Sequence, residues 1–371
     1  MKNLIAELEK ETLNINKKIT FKNIKLNTNV YTTKNEYFKD LTNFSNEFNK
    51  LFKTFNNSNI LDCYIINNEK IFLKVLNFLN TATFVSTEGI EQFNKATFNT
   101  SYVKCSQDYN YYIMKCYEYF IYIFDKSQKK CYMLIINNKK VLTMINILIL
   151  TPYLMYGELF AVHGGLVNKN NTNILINNSS LGGKTTFAIL FASNGWDIIT
   201  EETTYIKNTG EILPYNIRNY FNIRAGTYLN FQKYFKDKGI LLDSFLKMAK
   251  KSPMELFEEG KNGQESIDFS SIGTFKKLNE KYITFSLKIS IQKEHKFTIT
   301  KCSSIENVNS FLELSLAPTV LLFKELLNYN NINKFARRKK LEKIFNNTKS
   351  YKISSNLYYK EHFNEIINIL K

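Results

Sequence analysis

Residues 171–192 contain groups whose types and spacing suit the binding of a phosphate. Residues 171–177 are predicted to form a short buried strand, and residues 186–192 are predicted to form a helix. Between them, and at the start of the helix, lie the candidate phosphate-binding residues Asn178, Ser179, Ser180, Leu181, Gly182, Gly183, Lys184, Thr185 and Thr186. A strand, a glycine-containing loop, Lys-Thr and a helix in this order are what a P-loop requires.

Each residue type has a physical role in such a loop. Gly182 and Gly183 allow consecutive backbone N–H groups to turn toward one point, where the helix N-terminus adds free N–H groups and the positive end of its dipole. The Lys184 ammonium would lie on the β- and γ-phosphates, and the Thr185 hydroxyl would bind Mg²⁺, so ATP and Mg²⁺ are the predicted cofactors. Asn178 stands where the GxxxxGK[ST] pattern has its first glycine, and asparagine tolerates a left-handed turn.

Three segments around the loop carry further reactive side chains. His163 precedes Gly164-Gly165 on the N-terminal side of the loop. On the C-terminal side, Glu201-Glu202 are predicted to end a second strand, and Arg224 follows later. Eight of the 13 glycines lie between residues 157 and 226. Because glycine is needed where φ is positive or where backbone approaches a ligand closely, the demanding backbone geometry is concentrated here.

The order of these features resembles the catalytic region of the HPr kinase/phosphorylase-like kinases, which share a fold with phosphoenolpyruvate carboxykinase. The resemblance covers residues 155–230. It implies an α/β fold in which a mixed sheet with a P-loop core of the phosphoenolpyruvate carboxykinase type follows a smaller β-rich N-terminal region. It also implies the catalytic residues His163, Glu201, Glu202 and Arg224 and the metal ligands Thr185 and Glu202.

The implied chemistry is the transfer of a phosphoryl group to a hydroxyl. One carboxylate of Glu201-Glu202 would accept the hydroxyl proton while the other holds Mg²⁺, and the sequence leaves open which is the base. His163 would hydrogen-bond the phosphoryl group or tune a carboxylate, and Arg224 would neutralise charge. Each also has a structural alternative: a satisfied strand histidine, a surface turn after a strand, and a surface arginine.

Three departures from the family pattern bear on activity. Asn178 replaces glycine, Glu201-Glu202 replace paired aspartates, and Asn222 stands where HPr kinases have an acidic residue. Each longer carboxylate displaces its charge by about an ångström, which is costly for catalysis if nothing compensates. The departures argue against HPr as the substrate and fit a divergent branch, such as the HPr-kinase-like kinases that tailor small peptides.

The hydrophobic patterns predict two domains. Residues 1–138 are predicted to be an N-terminal α+β region, with a mostly antiparallel sheet within residues 60–138, and residues 139–371 the nucleotide-binding domain. The apolar run at 141–157 is short and broken, so a buried helix is predicted there rather than a membrane span. Further on, helices and loops are predicted for 235–275, strands for 281–302, and amphipathic helices with a short strand near Tyr351 for the tail.

Charge and cysteine content exclude some classes. The net charge is +17, but the lysines are scattered along the chain, so a nucleic-acid partner is not expected. The one dense basic cluster, Arg337–Lys340, is interpreted as a solvated helix face. Five cysteines without CxxC spacing indicate reduced thiols in a cytoplasmic protein rather than disulfides or a metal site.

The sequence therefore predicts an ATP- and Mg²⁺-dependent kinase that phosphorylates a hydroxyl, a serine or threonine of a peptide or small protein. The alternative is a catalytically degenerate nucleotide- or partner-binding protein on the same fold. The two differ in whether ATP is consumed when an acceptor is present. The sequence does not name the acceptor and leaves the formation of a homo-oligomer open.

Overall fold

The computed structural model describes most of the chain in separate segments. These are residues 1–22, 27–51, 60–82, 102–106, 110–116, 120–136, 149–150, 153–154, 158–177, 182–214, 220–252, 255–256, 264–274, 278–291, 296–303, 334–356 and 359–370. They belong to two compact units, of which the first contains Met1–Tyr156 and the second contains Gly157–Ser315 and Asn333–Lys371. Both units combine helices with mixed or antiparallel sheets, which confirms the α/β class at this level.

The first unit is built on one sheet. Its strands are β1 (Lys17–Phe21), β2 (Asn27–Thr32), β3 (Ile60–Ile66), β4 (Tyr102–Cys105), β5 (Tyr111–Cys116), β6 (Phe120–Asp125) and β7 (Lys130–Ile135). Its helices are α1 (Lys2–Thr12), α2 (Asn35–Leu51) and α3 (Glu69–Thr81). The strands lie in the order β1-β2-β3-β7-β6-β5-β4. Strand β3 runs parallel to β2 and β7, and the other neighbouring strands pair antiparallel.

Helix α3 illustrates how the sequence forms this unit. Asn68 caps its N-terminus by accepting hydrogen bonds from the backbone N–H groups of Lys70 and Ile71. Residues at helical spacing then form one apolar stripe, Ile71, Phe72, Val75 and Leu79. This stripe packs with α1 against the sheet, in a core that includes residues of β5, β6 and β7.

The second unit contains eleven labelled strands among its described residues. They are β8 (Leu159–Val162), β9 (Gly164–Lys169), β10 (Thr172–Asn177), β11 (Asp197–Thr200), β12 (Thr204–Lys207), β13 (Ile212–Leu213), β14 (Tyr220–Arg224), β15 (Gln264–Asp268), β16 (Phe285–Ile291), β17 (Thr298–Lys301) and β18 (Lys349–Ser355). The helices are α4 (Lys184–Ala192), α5 (Ala225–Asn230), α6 (Gln232–Asp237), α7 (Asp243–Leu246), α8 (Lys334–Phe345) and α9 (Phe363–Ile369), with 3₁₀ turns at Phe269–Ser271 and Tyr359–His362.

A six-stranded sheet forms the centre of this unit, in the order β11-β9-β10-β16-β18-β17. Strands β10, β16 and β18 are parallel, so their carboxyl ends meet at one edge of the sheet. Strands β9, β11 and β17 pair antiparallel with their neighbours. A three-stranded sheet, β13-β12-β8, and the pair β14-β15 complete the unit.

Both sides of the central sheet carry apolar side chains. On one side, which we call the helix side, Ile176, Leu287 and Ile353 pack in a core with the buried apolar residues 187–192 of helix α4. On the other side, Leu166 and Leu175 pack with residues of β8, β12 and α8. Because β10 is buried on both sides, it contains the nearly continuous apolar run that the sequence analysis used to predict it.

Several sequence predictions can be compared with these elements. The predicted strand 171–177 is β10, and the predicted helix 186–192 begins two residues earlier, at Lys184. The tail strand expected near Tyr351 is the seven-residue β18 inside the central sheet. The region 235–275, predicted to contain only helices and loops, also contains β15, in which Ile267 is the single buried residue.

Some predictions fall on residues outside the described segments. They include most of the predicted helix 141–157, of which Ile149, Leu150, Tyr153 and Leu154 are described and buried. The segment Asn178–Leu181 of the phosphate loop also lies outside them. Within the described part of the chain, no helix combines the length and apolar character needed to cross a membrane.

Candidate functional site

The candidate phosphate loop joins the carboxyl end of β10 to the start of α4. Asn177 ends β10, and Gly182 is the first described residue after the gap, so the loop begins at the central sheet and ends at α4. Asn177 is buried and donates a hydrogen bond from Nδ2 to the Ser286 hydroxyl of β16 at 2.9 Å. This side-chain bond ties the last residue before the loop to the neighbouring parallel strand.

Gly183 has the backbone conformation that a tight phosphate loop needs. Its φ is +94°, in the left-handed region, and it is the N-cap residue of α4. A Cβ atom at this position would overlap the side chain of Ile291, the residue that ends β16. The positive φ favours glycine here, and any larger residue would also require the Ile291 side chain to move. The first N–H groups of α4 open next to this residue, where they can bind an anion.

Lys184, the first residue of α4, is half-buried. Burial lowers the pKa of its ammonium from the usual 10.5 to about 8, and the nearby carboxylates of Glu202 and Glu201 oppose this effect. The lysine is therefore a partly desolvated cation with two acidic neighbours. Such a cation interacts strongly with a phosphate, because water screens it less than it screens a surface lysine.

The carboxylate of Glu201 lies against the start of the same helix. Its side chain is 6% exposed, and its Oε1 accepts a hydrogen bond from the Thr185 hydroxyl at 3.3 Å. Glu202 is half-buried. Both follow directly after β11, two strands away from β10 in the sheet. The surface-turn alternative does not describe Glu201, because its side chain is inside the unit.

His163 occupies the bend between β8 and β9, where the chain passes from the small sheet to the central one. The next residue, Gly164, pairs with Asn177, so the histidine is one residue from the strand position where the phosphate loop begins. Gly165 lies against the backbone of Glu201, since a Cβ on Gly165 would be 2.7 Å from the backbone oxygen of Glu201. The two glycines thus allow three backbone segments to converge.

Three hydroxyl contacts that the sequence analysis did not identify hold these segments in place. The Thr200 hydroxyl accepts a hydrogen bond from the backbone N–H of Leu166 at 3.1 Å and is 2.7 Å from the Thr204 hydroxyl. The Thr204 hydroxyl donates to the carbonyl of Gly164 at 2.8 Å. Both threonines are fully buried. Their hydrogen bonds therefore fix the backbone at Thr200, which precedes Glu201, and at Gly164, which follows His163.

Arg224 ends β14 and is the N-cap residue of α5. It is half-buried, and burial lowers its pKa from the usual value. Helix α5 contacts the phosphate-loop helix, because the Thr227 hydroxyl lies 2.8 Å from the Thr186 hydroxyl. The segment carrying Arg224 is therefore attached to α4 two residues after Lys184.

A divalent metal is compatible with part of this arrangement. The Thr185 hydroxyl and the Glu201 carboxylate are oxygen donors within hydrogen-bond distance of each other, and Mg²⁺ in nucleotide sites uses few protein oxygens together with phosphate oxygens. A group of three or more histidine, cysteine or acidic side chains suited to a metal is not found among the described residues. Two protein oxygens are fewer than the six ligands of Mg²⁺, so a metal at this position would need further oxygen ligands.

A scan of the sequence against models of known protein families found no matching family, and a search of curated proteins found no matching sequence.

Proposed function

We propose that the chain is an ATP- and Mg²⁺-dependent phosphotransferase that phosphorylates a serine or threonine hydroxyl of a peptide or small protein. The observation that carries the proposal is the 3.3 Å hydrogen bond from Thr185 to Glu201 beside Lys184, at the N-terminus of the helix that follows β10. A cation, a hydroxyl and paired carboxylates at a helix N-terminus are the groups that phosphoryl transfer requires.

The nucleotide would bind at the start of α4. The backbone N–H groups after Gly183 and the Lys184 ammonium would contact the β- and γ-phosphates. The Thr185 hydroxyl and the Glu201 carboxylate would hold Mg²⁺, which when bound neutralises charge on the phosphate oxygens. The hydrogen bond to Thr185 favours Glu201 as the carboxylate on the metal side, in place of the Glu202 that the sequence suggested.

Glu202 would then be the general base. It would accept the proton of the acceptor hydroxyl while the hydroxyl oxygen forms a bond to the γ-phosphorus. The bond between the γ-phosphorus and the bridging oxygen of ATP breaks, and ADP leaves with that oxygen. His163 would hydrogen-bond the transferring group, and Arg224 would neutralise its charge.

Membership of the HPr kinase/phosphorylase-like kinases, with a P-loop core of the phosphoenolpyruvate carboxykinase type, is part of this proposal. It is supported by the mixed sheet, in which β10 lies between antiparallel β9 and parallel β16 and leads into the glycine-containing loop. We expect the protein to act in the cytoplasm, in keeping with Cys63 and Cys131, which are buried thiols and not part of a disulfide within the described residues.

A catalytically degenerate nucleotide-binding protein is the second candidate. The substitutions Asn178, Glu201-Glu202 and Asn222 favour it, because they lie at the positions where the family's active members have glycine and aspartate or another acidic residue. Such a protein would bind ATP through Lys184 and would transfer no phosphate.

The test is titration calorimetry of the full chain with ATP and Mg²⁺, for wild type, Lys184→Met and Lys233→Met. Lys233 is an exposed lysine of α6 and serves as the charge-matched control. We expect binding by wild type and by the control and a loss of at least about tenfold in Lys184→Met, since one charge-assisted phosphate contact disappears. Absence of binding to wild type would refute the kinase and the nucleotide-binding form of the second candidate, and would leave only its partner-binding form.

Transfer separates the two candidates. Incubation with γ-labelled ATP and serine-containing peptides should label a peptide with wild type and not with Glu202→Gln, which keeps the size of the side chain and loses the base. ATP binding without labelling of any protein or peptide would favour the degenerate alternative.

A further inference from the structure

The side of the central sheet opposite the helix side carries a polar row next to the phosphate loop. The register aligns one residue from each of four strands, which we call the lysine row: Asn177, Lys288, Lys352 and Thr300. Partners in register point to the same side of a sheet, so the four side chains form one line across β10, β16, β18 and β17. Asn177 is buried and Lys288 half-buried, whereas Lys352 and Thr300 are exposed.

The positions around the lysine row are small and polar. One step toward the carboxyl edge, the same side carries Ser290, Ser354 and Thr298, and one step back it carries Ser286 and Ser350. The alternate positions of the same strands, on the helix side, are apolar: Ile289, Ile299 and Ile353. Ser286 and Ser350 are buried, whereas Lys352, Thr298 and Thr300 are exposed and Ser290 and Ser354 half-buried, so the accessible hydroxyl groups lie toward the carboxyl edge of the row.

The two lysines of the row are close enough to repel each other when no ligand is bound. Lys288 and Lys352 are direct neighbours on adjacent strands, and like charges in this arrangement repel. Neither forms a salt bridge or hydrogen bond with the part of the chain that the structure describes. None of the in-register positions named above is an aspartate or glutamate. An anionic ligand would remove this repulsion.

The position of the row relates it to the phosphate loop. Adjacent strands are about 4.8 Å apart, so Lys288 and Lys352 are roughly 5 and 10 Å from the axis of β10, whose end leads into the loop. An extended peptide advances about 3.3 Å per residue. A peptide with its acceptor hydroxyl at the loop would therefore bring residues about two to four positions away onto the two lysines.

We propose that the lysine row binds an acidic segment of the acceptor peptide, with aspartate or glutamate two to four residues from the phosphorylated serine or threonine. The inference rests on the proposed kinase function for the location of the acceptor hydroxyl. The exposed or half-buried hydroxyls of Thr300, Thr298, Ser290 and Ser354 would hydrogen-bond the peptide, and the lysines would select for negative charge.

The test uses two fluorescently labelled peptides that contain one serine, with aspartates or with asparagines two to four residues away. Binding to the full chain is measured by anisotropy, for wild type, Lys288→Glu, Lys352→Glu and Lys301→Glu. Lys301 is exposed on β17 but occupies the alternate position, on the helix side, and matches the change in charge. ATP affinity is measured on the same preparations.

We expect wild type to bind the aspartate peptide at least about threefold more tightly than the asparagine peptide, with the preference falling as salt increases. Lys288→Glu and Lys352→Glu should abolish the preference, whereas Lys301→Glu should retain it. The proposal would be overturned if Lys301→Glu lost the preference for the aspartate peptide as fully as the two row variants do. It would also be overturned if an oligonucleotide of the same charge competed for binding as well as the aspartate peptide does, since the net charge of the protein would then explain binding. Absence of ATP binding with the peptide preference intact would refute the kinase function alone.

Discussion

If Lys184 contacts the phosphates as proposed, its lowered pKa should make ATP affinity depend on pH in a defined direction. In the free protein this pKa is about 8, because burial disfavours the ammonium more than Glu202 and Glu201 favour it. The ammonium is lost as the pH rises through that value. With a pKa near 8, about three quarters of the molecules carry the charge at about pH 7.5 and about one tenth at about pH 9. If the phosphates require the ammonium, ATP should bind about eightfold more weakly at the higher pH.

The assay is titration of ATP and Mg²⁺ into the protein at a series of pH values between these limits. Bound phosphate stabilises the ammonium, so near pH 8 the complex should take up about half a proton, which appears as a dependence of the heat on the buffer. Lys184→Arg is the matched control, because a guanidinium keeps its charge throughout this range and the affinity should no longer fall. An unchanged affinity in wild type, or the same fall in Lys184→Arg, would refute the assignment of this lysine to the phosphates.

Three further predictions follow from close contacts at the site. Gly183→Ala should lower the free energy of unfolding in urea by about 2–5 kcal/mol, because the new Cβ would combine left-handed strain with overlap of the isoleucine that ends β16. Gly239 has a similar φ of +71° and nothing near the position of a Cβ. Gly239→Ala should therefore cost only the strain, about 1–2 kcal/mol. Equal costs would contradict the packing argument. Gly165→Ala should weaken ATP binding and lower the melting temperature, because a Cβ would be 2.7 Å from the backbone oxygen of Glu201. Unchanged ATP affinity would show that the close approach of Gly165 to Glu201 does not position the Glu201 carboxylate. Glu201→Gln should move the pH at which ATP affinity falls to a lower value, because it removes a charge that raises the pKa of Lys184, and an upward shift would be the wrong sign.

The local parts of the fold were predictable from sequence, whereas the pairing of strands was not. Strand β10 and helix α4 stand out because a buried apolar run is followed by glycines and a second apolar run. Strand β15 has one buried residue and hence no alternation to detect. The sheet order β10-β16-β18 joins segments far apart in sequence, and no local pattern specifies which distant strands pair.

The same distinction applies to the candidate site. The residues of the candidate phosphate loop are contiguous, so their spacing in the sequence is enough to propose them. The choice between Glu201 and Glu202 depended on the end of β11 meeting the start of α4, which is a tertiary contact. The threonines at 200 and 204 gave no signal in the sequence, because threonine is common in strands and only burial makes their hydroxyls structural.

The pairing of β10 with β16 has a consequence during synthesis of the chain. Ile174 pairs with Phe285, which the ribosome adds 111 residues later. At about 5–20 residues per second, strand β10, which leads into the candidate phosphate loop, waits roughly 6–20 s for its parallel partner. During that interval one edge of an apolar strand is open to other chains, as in proteins that depend on chaperones. A nascent chain arrested before β16 should therefore aggregate readily and should fail to retain nucleotide.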